Sequence, residues 1–350
     1  MFAGAGGLTI GAHQAGFNVV AAVEIDVHSA STFARHSPTT EVINQDIKDV
    51  RLLDFKRKID VVIGGPPCQP FSTGGLRAAR SDKRDMLPEF VSAIDTLRPE
   101  AFVMENVPGL AVGERLLYLE EVVRALENFG YNVVWKVLSA AEHGVPQKRR
   151  RLFVVGMKGR SFRFPEFTHG PDGRQPYVTV NDVLPDNQLG EPNLAAVTYA
   201  KKPDLRPSPF DGLIFNGGGR PVNRSRPAHT ILASAGGNKT HFFDDLNIIP
   251  EYHKYLLGGG KPRVGRVPGT RRLTVLESAI LQTFPGDTKF CGPKSAQYRQ
   301  IGNAVPPELA RVVAQSLAIQ LNSKPVVDKQ RFYSVSPAIP LFRDFGDDDT

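Results

Sequence analysis

Residues 60–72 have the sequence Asp-Val-Val-Ile-Gly-Gly-Pro-Pro-Cys-Gln-Pro-Phe-Ser, in which an apolar stretch leads directly into a stiff turn that carries a cysteine. The stretch 60–64 is short and apolar, as a buried strand is. In a doubly wound α/β sheet, ligands bind at the carboxyl ends of the strands, which is where Cys68 would lie. A lone cysteine is more often a small buried apolar residue. The two prolines before Cys68 stiffen the backbone and favour a nucleophile that is held in one geometry.

The first half of the chain alternates strand-like and helix-like segments. Apolar residues recur at three- and four-residue steps in segments 86–97 and 115–129, which predicts amphipathic helices. This alternation predicts an α/β fold with a doubly wound, mostly parallel sheet and helices on both of its faces. The stretches that predict buried strands lie at 19–25, 60–64, 101–105, 133–138 and 151–155.

Residues 157–270 differ from the rest of the chain in composition. They contain 15 of the 33 glycines and 13 of the 28 prolines, and their 15 lysine and arginine residues outnumber 10 acidic ones. A loop-rich, basic segment of this length predicts an inserted, irregular binding module with short strands. The alternative is a long irregular excursion that packs on the core. Helical patterns return within residues 271–322, and residues 323–350 are expected to form a loosely packed tail.

A glycine-rich turn, Phe-Ala-Gly-Ala-Gly-Gly-Leu at residues 2–8, opens a predicted helix. Such a turn lets a ligand approach the backbone closely and meets it with free N–H groups. Thr9 occupies the third glycine position of the dinucleotide fingerprint, which argues against a nicotinamide dehydrogenase. Glu24 ends the next strand, where a carboxylate would bind ribose hydroxyls, and Asp46 could accept from an adenine amino group. Either acid alone is more often a solvated strand end, but in this order they predict a nucleoside cofactor.

Glu105 ends the strand that follows the Cys68 turn, so its carboxylate should lie close to Cys68 on the same edge of the sheet. A thiol nucleophile beside a carboxylic acid fits attack on an electron-poor ring with proton donation to a ring nitrogen. A basic Gln-Lys-Arg-Arg-Arg run then leads into another strand. Because alternate residues of a strand share a face, Gln147, Arg149 and Arg151 should point together into the cleft. The alternative for such a run is a solvated basic surface.

The chain carries 43 lysine and arginine residues against 36 acidic ones, which gives a net charge of +7. A basic surface suits a polyanion such as nucleic acid. No apolar run reaches the roughly 20 residues that a membrane helix needs. The two cysteines, Cys68 and Cys291, provide neither a disulfide framework nor a zinc-binding pattern. We therefore expect a protein of the cytoplasm that binds neither a membrane nor a metal ion.

Taken in order, these motifs resemble those of the DNA (cytosine-5) methyltransferases. The resemblance implies the class I methyltransferase fold. It divides the chain into a catalytic and cofactor-binding domain (residues 1–156 and 271–322), a target-recognition domain (157–270) and a C-terminal tail (323–350). The matching stretches are FAGAGG, the Glu24 strand, the Asp46 turn, GGPPCQPFS, ENV, QKRRR, RRLTVLESAILQTFP and QIGNAVPP.

The resemblance implies a role for each matching residue. Cys68, as a thiolate, would attack C6 of the target cytosine, and Glu105 would hold and protonate N3. The activated C5 would then take a methyl group from S-adenosyl-L-methionine. Arg149 and Arg151 would fix the base carbonyl, the glutamate and the Cys68 loop. Asp85 stands where family members often have glycine. The cofactor site would be lined by Phe2, Gly4, Gly6, Leu8, Glu24, Ile25, Asp46, Ile47, Pro66, Leu87, Asn303 and Val305.

The implied substrate is double-stranded DNA with a specific recognition sequence. A cytosine inside a duplex hides its reactive face, so the enzyme must flip it out, and the loop 69–80 would close over it. Arginines of the target-recognition domain suit the reading of guanine, whereas those of the loop suit phosphate. The enzyme is expected to act as a monomer, with a cognate restriction endonuclease as the partner that such a system would include. The expected DNA contacts are Gln69, Ser72, Arg77, Arg80, Gln147, Arg220, Arg224, Arg226 and Thr230.

Two further alternatives remain open. A relative that methylates tRNA uses the same motif set, although the long basic middle segment favours DNA. The other is a DNA-binding remnant without catalysis, against which the intact Cys68, Glu105, Arg149 and Arg151 argue.

Family members also have an apolar strand before the glycine turn, in the middle of the sheet, whereas only Met1 precedes Phe2 here. Without that strand, its neighbours would face a gap with unpaired backbone groups, which are costly when buried. We therefore expect either a true start upstream of Met1 or a chain that folds poorly and binds its cofactor weakly. Residues 329–335 are the first candidate within the chain to fill the gap.

Overall fold

The computed structural model describes residues 1–68, 84–203, 205, 219–233 and 237–323. Within these ranges the strands are β1 (Ala21–Val23), β2 (Glu41–Ile43), β3 (Val61–Gly64), β4 (Ala101–Asn106), β5 (Tyr131–Ser139), β6 (Arg150–Lys158), β7 (Phe242–Asp244) and β8 (Thr270–Arg272). The α-helices are α1 (Gly7–Gln14), α2 (Val27–His36), α3 (Leu87–Leu97), α4 (Glu114–Asn128), α5 (Val180–Val183), α6 (Ile248–Leu257), α7 (Val275–Leu281), α8 (Lys294–Asn303) and α9 (Pro307–Asn322). None of these helices has the length and apolar character that a membrane span requires.

Four strands form the central sheet in the order β3–β4–β6–β5, and β1 and β2 form a separate parallel pair. β3 and β4 are parallel, with Val61 opposite Ala101, whereas β6 is antiparallel to both β4 and β5. The predicted α/β fold class is confirmed, and the described sheet is mixed, with β6 antiparallel to its neighbours. The reason is the short connection at residues 140–149, which has no helix long enough to cross the sheet and so returns the chain antiparallel to β5.

Helices cover both faces of this sheet. All six residues of β4 are buried, and the first four alternate between two apolar clusters. Phe102 and Met104 pack with residues of α3 and α4 such as Phe90, whereas Ala101 and Val103 pack with residues of α9 such as Leu317. A strand buried on both faces needs a continuous apolar run, which explains its Ala-Phe-Val-Met sequence. The β4 strand therefore ends in the interior of the molecule, where its last residues meet little solvent.

Two glycines allow α1 to pack unusually close to α9. A Cβ atom on Gly7 would lie 2.2 Å from the carbonyl oxygen of Val305, and one on Gly11 would lie 2.4 Å from the backbone nitrogen of Arg311. Backbone atoms cannot move away as a flexible side chain can. This contact fixes the turn that precedes α1 against the segment that precedes α9.

A gap separates β1 from β3, and the first residues of the chain lie at one end of it. The Met1 amino group donates to the Ile63 carbonyl of β3 at 2.8 Å, and the Ala3 N–H donates to the Val23 carbonyl of β1 at 3.1 Å. A cavity of about 860 Å³ adjoins them. The expected gap between neighbouring strands is therefore present; residues 329–335, named as its candidate filler, lie outside the described part of the chain. The cavity lining includes Leu8, Ala12, Ala21, Val61, Val313 and Leu317.

The described part of residues 157–270 has little regular structure beyond α5, α6 and the antiparallel pair β7–β8. Phe242 of β7 lies opposite Arg272, so the proposed domain boundary between residues 270 and 271 falls inside β8. This region has an apolar cluster of its own, formed by Val197, Phe242, Ile249 and Val267.

Candidate active site

Cys68 lies just beyond β3 and is fixed to the end of β4. Its Sγ donates to Oδ1 of Asn106 at 2.7 Å, and Nδ2 of Asn106 donates to the Pro66 carbonyl at 2.9 Å. Because β3 and β4 are parallel neighbours, their carboxyl ends bring these residues to one edge of the sheet. One asparagine therefore holds both the thiol and the backbone of its turn.

Glu105 lies beside the same turn. Its Oε1 lies 2.9 Å from Nε of Arg151, and both side chains are almost fully buried, with exposed fractions of 11% and 6%. A Cβ atom on Gly65 would lie 2.8 Å from Oε2 of Glu105, so the turn passes close under the carboxylate. A buried carboxylate of this kind is stabilised by its charged partner. Arg151 therefore holds Glu105 at the edge of the sheet that carries Cys68.

The surroundings of Cys68 disfavour its thiolate form. Burial raises the pKa of the Cys68 thiol to about 11, and the negative charges of Asp85 and Glu105 act in the same direction. The charge of Arg115 and the hydrogen bond between Cys68 and Asn106 act in the opposite direction but are the smaller effects. At neutral pH the protein therefore holds Cys68 as a neutral thiol. A thiolate is the reactive form of cysteine, so the thiol must lose its proton as it attacks.

Gln147 is fully buried and its amide is fully engaged. Nε2 donates to the Leu281 carbonyl at 3.2 Å, and Oε1 accepts from the Ile231 N–H at 3.0 Å. A side chain in this position stabilises the packing of residues 157–270, the middle region, on the catalytic part of the chain. No part of the Gln147 side chain is exposed in this structure, and any contact of this residue with DNA stays a prediction.

Arg149 is also fully buried, and its guanidinium donates to the carbonyls of Ile231 at 3.1 Å and Gly302 at 2.7 Å. Gln147 and Arg149 thus both bond to the backbone of Ile231, whereas Arg151 pairs with Glu105, and a cleft shared by all three stays a prediction. The alternation of a strand begins only at residue 150, where β6 starts, so it does not govern the residues before it. Any contact of Arg149 with a substrate base stays a prediction.

The glycine-rich turn is held from two sides. Gly4 and Gly6 have φ angles of 54° and 86°, which residues with a side chain rarely adopt. The Gly4 N–H donates to Oε2 of Glu24 at 2.7 Å, and the Ala5 carbonyl accepts from Nε2 of His36 at 2.7 Å. A Cβ atom on Gly4 would meet nothing within 4 Å. The turn thus presents an open, preset stretch of backbone beside a carboxylate, which is a cradle that a polar ligand fits.

Three other residues of the predicted cofactor site are at least partly exposed. Ile25, directly after Glu24, is 66% exposed. Asp46 is half-buried at the end of the turn that follows β2, and Asn303 is exposed. Their contacts with a nucleoside cofactor stay predictions.

The remaining predicted cofactor residues are buried or partly buried. Leu87 is fully buried in the core, and Leu8 lines the cavity between β1 and β3. Phe2 is partly buried, and Ile47, Pro66 and Val305 are buried. Contacts of these residues and of Leu87 with a cofactor stay predictions.

The expected DNA contacts differ in how far the structure supports them. Gln69, Ser72, Arg77 and Arg80, with the loop 69–80, lie outside the described residues. Arg226 is exposed, whereas Arg220 is half-buried.

Arg224 and Thr230 are engaged within the protein. The Arg224 guanidinium lies 4.0 Å from the centre of the Phe243 ring and 3.4 Å from the Pro185 carbonyl. Thr230 is buried, and its hydroxyl donates to the Lys148 carbonyl at 2.8 Å. These two side chains stabilise the middle region; Arg224 is still 21% exposed, and contacts of either residue with DNA stay predictions.

The sequence did not predict two residues near Cys68: Asn106, which accepts from its thiol, and Tyr118, whose hydroxyl donates to Asp85 beside it. Asn106 follows Glu105 at the end of a buried strand, and a polar residue at that position could have been read as a site residue. Tyr118 lies on α4 among apolar residues and gives no signal in the sequence. In the described ranges, no three His, Cys, Asp or Glu side chains lie together as a metal site would require.

Comparisons with known proteins agree with this geometry. A family model described as C-5 cytosine-specific DNA methylase matches residues 1–318. Type II methyltransferase M1.HphI of Haemophilus parahaemolyticus is 36% identical over 333 residues, which cover 91% of this chain and 85% of that protein. Type II methyltransferase M.XorII of Xanthomonas oryzae is 33% identical over 365 residues, which cover 93% and 85%. The solved structure of S. pombe Dnmt2 methyltransferase matches with a TM-score of 0.65 and 17% sequence identity. The match covers 92% of this chain and 98% of that one, and it supports the fold.

Proposed function

Because this chain belongs to the C-5 cytosine-specific DNA methylase family, we propose that it methylates C5 of a flipped-out cytosine in a specific duplex DNA sequence, through a covalent bond between Cys68 and C6. The family and its Type II methyltransferase relatives make it a DNA (cytosine-5) methyltransferase. The flipped base, the covalent intermediate and the individual roles are the proposal. The observation that carries them is the pairing of Cys68 and Glu105 at the ends of two adjacent parallel strands.

The chemistry follows from what each group can donate. The Cys68 thiol gives its proton to water, and its sulfur forms a bond to C6 of the cytosine. Glu105, as a carboxylic acid, gives a proton to N3, so the electron pair of the C5–C6 double bond becomes available at C5. After C5 has gained a methyl group, water takes the C5 proton, N3 returns its proton to Glu105, and the double bond forms again as the thiolate leaves.

Two neighbours hold these groups in place. Asn106 fixes the Cys68 sulfur and the Pro66 backbone, so the nucleophile has one orientation. The Arg151 guanidinium holds the Glu105 carboxylate and stabilises its charge when the acid has given up its proton. Arg151 is thus a positioning residue for the acid.

S-adenosyl-L-methionine is the donor that this family uses, and when bound it supplies an electrophilic methyl group. The open Gly4 backbone would lie against its methionine part. Glu24 would accept from ribose hydroxyls, and Asp46 would accept from the adenine amino group, with exposed Ile25 against the base. These contacts bind and orient the donor but take no part in proton transfer.

The DNA part of the proposal rests on charge and on the relatives. A net charge of +7 suits a polyanion, and the exposed Arg226 lies in the region proposed as the target-recognition domain. The Type II methyltransferases among the relatives favour a specific target sequence. We accordingly propose action on DNA in the cytoplasm, in a restriction–modification system with a cognate endonuclease.

The test uses purified protein with methyl-labelled S-adenosyl-L-methionine and either duplex DNA or tRNA. We expect label in 5-methylcytosine of DNA and none in tRNA. Wild-type protein should also form a denaturation-resistant adduct with duplex DNA that contains 5-fluorocytosine, because the fluorine cannot leave as the proton does.

Cys68→Ala should abolish both methyl transfer and the adduct and keep binding of DNA and cofactor. Cys291→Ala is the matched control and should keep everything. Methyl transfer by Cys68→Ala would overturn the covalent mechanism, and label in tRNA alone would overturn the choice of DNA.

A further inference from the structure

Asp85 lies next to Cys68, although 17 positions separate them in the sequence. The two residues form an isolated antiparallel bridge. The Met86 N–H donates to the Pro67 carbonyl at 2.9 Å, which extends the same pairing by one step. The backbone of residues 67–68 therefore pairs with that of residues 85–86.

The Asp85 carboxylate is itself fixed by two partners. Oδ1 accepts from the Leu87 N–H at 3.1 Å, at the first residue of α3. Oδ2 accepts from the Tyr118 hydroxyl, which comes from α4. Leu87 is fully buried and Tyr118 nearly so, which makes this a rigid anchor. A carboxylate with two such donors keeps its position.

We propose that Asp85, held by Tyr118, is a positioning residue that fixes the Cys68 turn and keeps the nucleophile in its neutral thiol form until substrate is bound. The inference rests on the proposed function in so far as Cys68 is the nucleophile.

The charges around the thiol support this assignment. Among the described residues, Asp85 and Glu105 disfavour the thiolate, whereas Arg115 and the hydrogen bond with Asn106 favour it. The two carboxylates add to burial, which is the main cause of the raised pKa of Cys68. The pKa of Tyr118 is raised by burial and by its hydrogen bond to Asp85, so the phenol stays protonated and continues to donate.

The experiment measures the rate at which iodoacetamide alkylates Cys68 as a function of pH, by mass spectrometry, in a Cys291→Ser background. Only the thiolate reacts, so the midpoint of the profile reports the ionisation of the thiol. Asp85→Asn keeps the shape of the side chain and its acceptor oxygen but removes the charge. We expect its alkylation rate at pH 8 to rise on the order of tenfold, which corresponds to a fall of about one unit in the midpoint.

Tyr118→Phe separates electrostatics from loss of structure. It removes the anchor but leaves the Asp85 charge, so its midpoint should not fall. Asp95→Asn, the same change at an exposed position of α3, is the matched control and should have the wild-type profile. A wild-type profile for Asp85→Asn would overturn the proposal, as would an equal shift in Tyr118→Phe.

The two proposals fail separately. Alkylation needs neither DNA nor cofactor, so a shifted midpoint in Asp85→Asn stands even when Cys68→Ala retains methyl transfer. Conversely, an unshifted midpoint with an inactive Cys68→Ala leaves the proposed function intact and removes only the role of Asp85.

Discussion

The guanidinium of Arg149 donates to the carbonyl oxygen of Gly302 at 2.7 Å, which joins two residues that are 153 positions apart. The same group donates to the Ile231 carbonyl in the middle region. One buried side chain therefore connects the residue before β6, the end of α8 and the region proposed for target recognition. A basic residue in a motif that suggests catalysis thus also holds the architecture of the site together.

This position predicts that Arg149→Lys destabilises the protein strongly. A lysine has one ammonium group in place of the planar fork and cannot reach both carbonyls, so at least one buried acceptor loses a charged donor. Such a loss costs about 1.5–3 kcal/mol per bond, which should lower the melting temperature by several degrees. Arg35→Lys, at an exposed position of α2, is the control and should melt as the wild type does. Equal melting of the two variants would show that the buried bonds contribute little.

A second prediction concerns the close contact of α1 and α9. Alanine favours a helix over glycine by about 0.8–1 kcal/mol, so propensity alone predicts that Gly11→Ala is stabilising. A Cβ atom there would lie 2.4 Å from the Arg311 nitrogen and 2.6 Å from the Pro307 carbonyl, which are backbone atoms. We expect the clash to dominate and the variant to lose about 1–3 kcal/mol in denaturant unfolding. A Cβ atom on Gly286 would meet nothing within 4 Å, so the control Gly286→Ala should leave the free energy of unfolding nearly unchanged. A more stable Gly11→Ala protein would mean that α9 moves freely.

The sequence predicted the relative placement of Cys68 and Glu105 because that placement depends on one rule. Residues at the ends of adjacent parallel strands share an edge, and both strands are short, apolar and easily recognised. The helix predicted at 115–129 is likewise found at Glu114–Asn128. Local patterns therefore carried the fold class and the main carboxylate–thiol pair.

Features that depend on distant segments were not predictable in this way. The direction of β6 depends on how a short connection packs, and the burial of Gln147 depends on Ile231 and Leu281 of later segments. Asp85 pairs with Cys68 although the two are 17 positions apart, and a local sequence pattern does not predict a contact of that kind. Alternation inside a strand is a reliable guide only once the first residue of the strand is known.

A third prediction concerns Arg224 and Arg226, which the sequence analysis gives the same expected role in DNA contact. Arg226 is exposed, whereas Arg224 stacks on Phe243 at 4.0 Å. Arg226→Ala should weaken DNA binding without changing the melting temperature, and a lost phosphate contact would lower the salt slope by about 0.9. Arg224→Ala should lower the melting temperature, because a buried stacking contact is lost. The measurements are DNA affinity at several salt concentrations, thermal melting, and sequencing of methylated sites. A lower melting temperature for Arg226→Ala, together with an unchanged one for Arg224→Ala, would contradict the structure.

The last prediction concerns the Met1 amino group, which donates to the Ile63 carbonyl at the gap between β1 and β3. Burial lowers its pKa from 8.0 to about 6, although the charge of Glu24 opposes the shift. Between pH 6 and pH 8 the unfolded chain therefore binds more protons at this group than the folded protein does. Folding stability must then rise with pH through this window, by at most about 2–3 kcal/mol from this group, and fall again as pH drops towards 6.

An N-acetylated protein keeps the N–H donor but has no proton to bind, so this part of the pH dependence should disappear. The measurement is urea unfolding of the free and acetylated proteins at pH 6 and pH 8.5, in which buried histidines affect both proteins equally and cancel. Parallel stability curves for the two proteins would show that the amino group is hydrated and that the chain start does not lie in the gap.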